Sequence, residues 1–254
     1  MPPLLRIESL HKAYGGQPAL VDLSLDVAGG EILGFIGPNG AGKTTTIKIV
    51  AGLAFADAGQ VVVDGHRLEG HGPEARAARS ALGLLPDRPY LYDKLTAREY
   101  VLFVAGLYGV ARAPAERHLA EMAARFRMGD YVDRPVESMS HGMKQKTALC
   151  AALVHQPPVF VCDEPLVGLD PHGAREFKAL VLELRRAGRA VLMSSHTLAL
   201  VEEICDRVAI LHKGRLLAAG TVAEIRQRAR AQGPLEEVFL EMTEEETAAA
   251  GAGD

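Results

Sequence analysis

The chain has 254 residues, of which 48% are hydrophobic and 24% charged, a balance typical of an ordinary soluble globular protein. Its formal net charge of −4 argues against a nucleic-acid binder held by a basic face, and its three widely spaced cysteines predict neither a disulfide framework nor a zinc site. The longest apolar run, residues 100–110, is about half of the ~20 residues that a membrane-spanning helix needs. We therefore expect a cytosolic protein that does not cross a membrane by itself and does not bind nucleic acid.

The N-terminal part of the chain alternates between predicted strands and turns. Residues 5–10 and 20–27 alternate apolar and polar side chains, which is the period of a half-buried strand, and the turn formers at 15–18 separate them. Residues 59–65 form another short β segment that ends in a turn signal. These segments predict an N-terminal antiparallel β subdomain.

A phosphate-binding loop follows a third predicted strand. Its residues fit the pattern G-x-x-x-x-G-K-[ST] and are Gly37, Pro38, Asn39, Gly40, Ala41, Gly42, Lys43, Thr44 and Thr45. An apolar strand is predicted over residues 31–36 and a helix over 46–53, which is the context that the motif requires. The glycines let backbone N–H groups surround a phosphate chain, and the helix N-terminus adds positive charge. Lys43 can then reach the β- and γ-phosphates of a nucleotide, and the Thr44 hydroxyl can bind Mg²⁺.

Between about residues 90 and 154 the pattern changes to amphipathic helices. A capping box starts the first helix at residues 96–99, and further helices are expected over 114–126 and 141–154. This all-helical insert interrupts the β/α alternation, so we interpret residues 90–154 as an α-helical subdomain.

Strands return after the helical insert. Apolar runs at residues 159–162, 190–193 and 208–211 predict strands, and residues 173–186 predict a helix between the first two. This alternation predicts an α/β fold, a P-loop NTPase core with a mostly parallel sheet and helices on both of its faces. We expect residues 1–242 to form a single domain and residues 243–254, rich in Glu, Ala and Gly, to form a flexible tail.

Two carboxylates end the strand at residues 159–162. At the end of a strand near the phosphate loop, Asp163 can hold Mg²⁺ directly or through water. Glu164 is placed to polarise a water aimed at the γ-phosphate. A strand that leaves the core into a polar turn would also account for a single Asp, but it is the weaker interpretation beside a phosphate loop.

Two more polar residues stand at the ends of predicted elements. Ser140 precedes the helix at 141–154 and can cap its N-terminus, where a second phosphate could bind. His196 follows the strand at 190–193. A lone histidine in such a place is more often a surface residue than a catalytic one.

The order of these motifs resembles the ATP-binding subunit of an ABC transporter, over about residues 5–240, and most closely the bacterial exporters. The resemblance implies that Tyr14 stacks on adenine, that Ser140 and Gly142 of the signature stretch contact phosphate, and that Asp170 belongs to the D-loop. It also names the Walker B aspartate, the catalytic glutamate and the switch histidine, which would be Asp163, Glu164 and His196.

Four positions depart from the usual motifs of that family. Asp87 stands at the Q-loop position normally held by glutamine, where the family residue contacts Mg²⁺ or the attacking water. His141 replaces the first glycine of the signature, Met143 replaces its glutamine, and Val167 replaces the usual D-loop serine. Ser140 and Gly142 are left as the matching phosphate-contacting residues of the signature.

The resemblance implies an ATPase that uses ATP and Mg²⁺, with Lys43, Glu164 and His196 as its catalytic residues. It implies two kinds of partner, a second ABC ATPase subunit, identical or paralogous, and transmembrane permease subunits. Two ATPase subunits would pair head-to-tail on the cytoplasmic face of the membrane, each signature closing on the γ-phosphate bound by the other. The activity implied is energised transport, with export favoured.

Several alternatives are also compatible with the sequence. An ABC-type ATPase acting on DNA or ribosomes, or a small-molecule kinase, would also carry a phosphate loop. Tyr14 could simply pack between two strands, and the stripe at residues 90–92 could either dock a membrane partner or lie buried in the helical subdomain. Cys150 and Cys162 are expected to be buried as small apolar side chains.

Overall fold

The computed structural model describes residues 3–228, together with Glu237 and Phe239. The strands in chain order are β1 (Pro3–Tyr14), β2 (Gln17–Ala28), β3 (Ile32–Ile36), β4 (Ala58–Val63), β5 (His66–Arg67), β6 (Leu82–Leu85), β7 (Val159–Asp163), β8 (Ala190–Ser194), β9 (Arg207–His212) and β10 (Arg215–Gly220). The helices are α1 (Lys43–Val50), α2 (Pro73–Ser80), α3 (Ala97–Leu107), α4 (Arg112–Arg125), α5 (His141–Leu153), α6 (Pro171–Arg186), α7 (Leu198–Ile204) and α8 (Val222–Arg228), with a short 3₁₀ helix at Val136–Ser138.

An antiparallel sheet covers one side of the molecule in the strand order β2-β1-β4-β5. Its apolar side chains point inward at alternate positions, such as Leu5 and Ile7 on β1 and Leu23 and Leu25 on β2. These side chains pack against the central sheet. The predicted N-terminal antiparallel subdomain is therefore confirmed.

The central sheet has the strand order β10-β9-β3-β8-β7-β6. All its pairings are parallel except that of β9 with β10. Every residue of β3, β7 and β8 is buried, because helices or the second sheet cover both faces. The mostly parallel sheet and the α/β class are confirmed. The strand that carries the carboxylates, β7, is not the direct neighbour of β3, since β8 lies between them.

The helical insert contains α3, α4 and α5, whose apolar faces join one core cluster with the central sheet. The capping box at Thr96 and Glu99 is present, with each side chain accepting a hydrogen bond from the other residue's backbone N–H. The predicted division of the chain into domains stays a prediction. The tail at residues 243–254 lies outside the described residues.

Three helices begin earlier than the sequence pattern predicted, and the first of them is α1, which begins at Lys43 instead of residue 46. Helix α6 begins at Pro171, because the Asp170 side chain caps it and proline fits the first helical turn. Helix α4 begins at Arg112, so that Pro114 falls in the first turn, where its missing N–H needs no partner. Five elements of the described part of the chain were not predicted at all, namely α2, α7, α8, β5 and β10, and neither was the short 3₁₀ helix.

Several side-chain expectations can be checked against burial. Cys150 and Cys162 are fully buried, as expected. The idea that the stripe at residues 90–92 is buried is wrong for its two tyrosines, since Tyr90 is 92% exposed and Tyr92 is 59% exposed. In the described part of the chain, no helix is both long enough and apolar enough to cross a membrane.

Candidate active site

The phosphate loop joins β3 to α1 and is shaped by its glycines. Gly42 has φ of 108°, and a Cβ at this position would lie 2.7 Å from the carbonyl oxygen of Ala19. A Cβ on Gly37 would likewise overlap the Leu211 carbonyl oxygen. Gly42 thus requires glycine for both conformation and space, and Gly37 for space, which fits a loop folded tightly around an anion.

Lys43 opens α1 and turns back over the loop. Its Nζ donates hydrogen bonds to the carbonyl oxygens of Gly37, at 2.5 Å, and Pro38, at 3.1 Å. Burial lowers the pKa of Lys43, while the nearby carboxylates of Glu164 and Asp163 act in the opposite direction. The ammonium group is thus held at the loop with donors directed into it, ready for an anionic ligand.

A cavity of about 280 Å³ opens beside this loop. Its lining residues are Ala19, Asn39, Gly40, Ala41, Gly42, Lys43, Thr44, Thr45, Asp87, Asp163 and Glu164. Asp87, predicted to stand at the Q-loop position, thus lies at the same cavity as Asp163 and Glu164. Ala19 was not predicted as a site residue. It belongs to β2, which packs closely against the loop at Gly42.

A hydrogen-bond network fixes the Asp163 carboxylate in this cavity. Thr44 Oγ1 donates to its Oδ2 at 3.1 Å, and the Ser194 hydroxyl donates to its Oδ1. The same Ser194 oxygen accepts a hydrogen bond from the Glu164 amide at 3.1 Å. The sequence analysis did not identify Ser194. A serine at the end of a buried strand, next to the strand that carries Asp163, could have indicated it. This fully buried hydroxyl positions both acidic residues.

Glu164 lies just past the end of β7 in a left-handed conformation, with φ of 48°. Its Oε2 accepts hydrogen bonds from His196 Nδ1 at 2.7 Å and from the His196 amide at 3.3 Å. The imidazole side chain itself is 68% exposed. The structure therefore brings the predicted glutamate and histidine together, with the histidine at the solvent side.

The residues predicted to form the signature stretch and the D-loop make up a second cluster. The Ser140 side chain caps α5 by accepting a hydrogen bond from the Met143 amide at 3.3 Å. Gly142 packs so closely on Gly168 that a Cβ would lie less than 3.0 Å from its carbonyl oxygen, and the His141 ring lies over the Gly168 Cα.

Asp170 completes this second cluster. Its carboxylate caps α6 through the Gly173 amide at 3.2 Å and pairs with Lys146 Nζ at 2.8 Å. The hydrogen bond from Lys146 is the main reason that the pKa of Asp170 is lowered. Neither Ser140, Gly142 nor Asp170 lines the phosphate cavity.

Tyr14 ends β1 at the tip of the hairpin with β2. Its ring is 51% exposed, so the alternative that it packs between two strands is wrong. Tyr14 does not line the phosphate cavity, but β2, which pairs with its strand, supplies Ala19 to that cavity.

Comparison with known proteins agrees with this arrangement of motifs. The family model described as ABC transporter matches residues 20–167. The chain belongs to this family. The linearmycin resistance ATP-binding protein LnrL of Bacillus subtilis is 34% identical over 225 residues, which cover 89% of this chain and 71% of that protein.

A further relative and a solved structure match nearly the whole of this chain. The ABC-type transporter ATP-binding protein EcsA of Bacillus subtilis is 34% identical over 244 residues, covering 96% of this chain and 98% of that protein. A solved structure of an ATP-binding subunit of an ABC transporter is 35% identical, covers 94% of this chain and 99% of that chain, and superposes with a TM-score of 0.89. This chain is thus an ATP-binding, ATP-hydrolysing ABC subunit, as its motifs implied. Subunits of this kind dimerise and work with membrane permeases.

Proposed function

We propose that this ABC subunit hydrolyses Mg·ATP between its own phosphate loop and the signature helix of a second subunit, and so powers transport through permease subunits. The observation that carries the proposal is the cavity at which the phosphate loop meets Asp87, Asp163 and Glu164. A triphosphate laid along the loop would reach all three acidic residues. Positioning and charge stabilisation supply most of the catalysis in phosphoryl transfer, and this cavity offers both.

The residues at the cavity fit a magnesium ion. Thr44 and Asp163 place a hydroxyl and a carboxylate oxygen 3.1 Å apart, and Asp87 lines the same space. Mg²⁺ binds few protein carboxylates and keeps substrate phosphates and water as its other ligands, which fits this small set of protein groups. When bound, Mg²⁺ supplies charge neutralisation at the β- and γ-phosphates.

The chain's own residues then have distinct roles. Lys43 exchanges its bonds to the loop carbonyls for bonds to the phosphates and neutralises their charge. Glu164 orients or activates the attacking water, since its carboxylate lines the cavity with only 19% of its side chain exposed. His196, held to Glu164 at 2.7 Å, lies at the solvent side of the site and stabilises the transferred group.

A second subunit completes the site. Ser140 and Gly142 lie at the N-terminus of α5, where unpaired N–H groups and the helix dipole favour an anion. In one chain this helix end does not line the cavity that holds the triphosphate. We therefore assign Ser140, Gly142 and Asp170 to the cavity of a partner, which is either a second copy or a paralogous cassette.

The permease docks on an aromatic groove beside the helical insert. This groove, of about 300 Å³, is lined by residues that include Leu53, Tyr90, Tyr100 and Tyr108. Leu53 is 67% exposed and Tyr90 is 92% exposed, and apolar side chains grouped in this way mark interaction sites. We assign the groove to a cytoplasmic segment of the permease, which places the subunit at the cytoplasmic face of the membrane.

Export is the direction that the relatives favour. Besides the linearmycin resistance protein, the Nod factor export ATP-binding protein I of Ralstonia nicotianae is 31% identical over 223 residues, covering 88% of this chain and 68% of that protein. We extend export to this ABC subunit without assigning its cargo.

Dimer formation tests the proposal directly. With Mg²⁺ and a nonhydrolysable ATP analogue, we expect the chain to dimerise in light scattering, and the variant Ser140→Arg to bind the analogue yet stay monomeric. Arginine would fill the space that the opposing γ-phosphate needs. Ser80→Arg is the control, because Ser80 is an exposed serine at the end of α2, and it should dimerise normally. Normal dimerisation of Ser140→Arg would contradict the proposed site.

A further inference from the structure

Lys12 and Tyr14 lie two residues apart on β1, so their side chains emerge on the same face of the strand. The Lys12 Nζ stands 5.3 Å from the centroid of the Tyr14 ring, which is within the range of a cation–π interaction. The Lys12 side chain is only 16% exposed, whereas Tyr14 is 51% exposed. The lysine therefore occupies one side of the ring and leaves much of the ring surface open.

Asp57, just before β4, holds the lysine in place. Its Oδ1 accepts a hydrogen bond from Lys12 Nζ at 2.7 Å, and its Oδ2 accepts one from the Ala13 amide at 2.7 Å. The Asp57 amide in turn donates to the carbonyl oxygen of His11 at 2.8 Å. The bond from Lys12, and next that from Ala13, lowers the pKa of Asp57, so the carboxylate stays charged. Asp57 is thus tied to the backbone of β1 on both sides of Lys12 and holds the ammonium group in place.

We propose that Lys12, anchored by Asp57, is a positioning residue for the nucleotide base because it fixes the Tyr14 ring in one orientation. This inference rests on the proposed function, in which Tyr14 stacks on adenine. An exposed tyrosine at a hairpin tip would otherwise exchange between rotamers and lose that freedom when the base binds. A ring that is already fixed avoids this loss, and a flat surface remains for the base.

Calorimetric titration separates a base effect from a phosphate effect. The ligands are a nonhydrolysable ATP analogue, which has a base, and inorganic tripolyphosphate, which has none. We expect Lys12→Met to weaken binding of the analogue by about two- to fivefold, the size of an exposed cation–π interaction. Its binding of tripolyphosphate should equal that of the wild type, which also shows that the variant is folded.

Two further variants identify the route of the effect. In a Tyr14→Leu background, adding Lys12→Met should change the affinity for the analogue no further, because the ring on which the lysine acts is gone. Lys178→Met is the matched control, since Lys178 also forms an ion pair, with Glu203, and is partly exposed at 29%. It should leave both affinities unchanged.

The possible contrary results distinguish the two hypotheses. The inference is overturned if Lys12→Met weakens the binding of tripolyphosphate as much as that of the analogue. It is also overturned if Lys12→Met weakens analogue binding as much in the Tyr14→Leu background as in the wild type, because the lysine then does not act through the ring. The same holds if Tyr14→Leu leaves the affinity for the analogue unchanged. If the wild type binds neither ligand, the phosphate site itself is refuted, whatever Lys12 does.

Discussion

The Ser194 hydroxyl offers a sharp test of how the acidic pair is positioned. It is fully buried, donates to the Asp163 carboxylate and accepts from the Glu164 amide. In Ser194→Ala the carboxylate oxygen loses a donor that water cannot easily replace. Because hydrogen bonds to charged groups contribute about 1.5–3 kcal/mol, we expect the free energy of unfolding to fall by about 2 kcal/mol. For a chain of this size, that is a decrease in Tm of about 4–8 °C.

Scanning calorimetry measures this decrease, and two companion variants test its cause. Ser195→Ala removes another buried hydroxyl, which accepts a hydrogen bond from the Thr197 amide at 2.9 Å, and should lower the free energy of unfolding by only about 1 kcal/mol. In an Asp163→Asn background, Ser194→Ala should be less destabilising, since the buried charge is gone. A Ser194→Ala protein with the same Tm as the wild type would refute the role of this hydroxyl.

Two further predictions concern the nucleotide cycle. Glu164→Gln should bind ATP normally but hydrolyse it about 10²–10⁴-fold more slowly and accumulate as a dimer, because the attacking water loses its base. Phosphate release measures the hydrolysis and light scattering measures the dimer. Undiminished hydrolysis would remove Glu164 from its central role. Gly142→Ala should lose most ATP turnover, because its Cβ would push the Gly168 carbonyl away from the signature helix. Gly106→Ala is its matched control in α3, where a Cβ meets nothing within 4 Å, and it should keep full turnover and gain about 0.4–1 kcal/mol of stability. Equal turnover in the two alanine variants would show that the close contact is unimportant.

The sequence predicted the parts of the site that are encoded by consecutive residues. The phosphate loop, the Asp163–Glu164 pair and the Ser140 cap each depend on a short motif next to a strand or helix of recognisable period. The structure places them at strand and helix ends as expected. Such local patterns carry their own geometry, because the backbone fixes where neighbouring side chains lie.

Contacts between distant segments could not be predicted in this way. Ser194 and Asp163 are 31 residues apart and meet only because β7 and β8 pair in a particular register. The contact of Gly142 with Gly168 depends on how the helical insert packs on the loop after β7. No periodic pattern in a single sequence specifies strand order or the packing of one loop on another, so β8 between β3 and β7 was also unforeseen.

Burial of residues 90–92 was one of two open alternatives. Its failure for the two tyrosines and the separation of Ser140 from the phosphate cavity have a common cause. Tyr90 is apolar enough to predict burial, yet folding of this chain leaves 92% of it exposed. Burying such a ring gains about 1.5–3 kcal/mol, and that free energy is obtained equally well at an interface with another subunit. The N-terminus of α5 likewise favours an anion, but it does not lie at the phosphate cavity of its own chain. Sequence patterns report which groups need a partner, but not whether that partner lies in the same polypeptide.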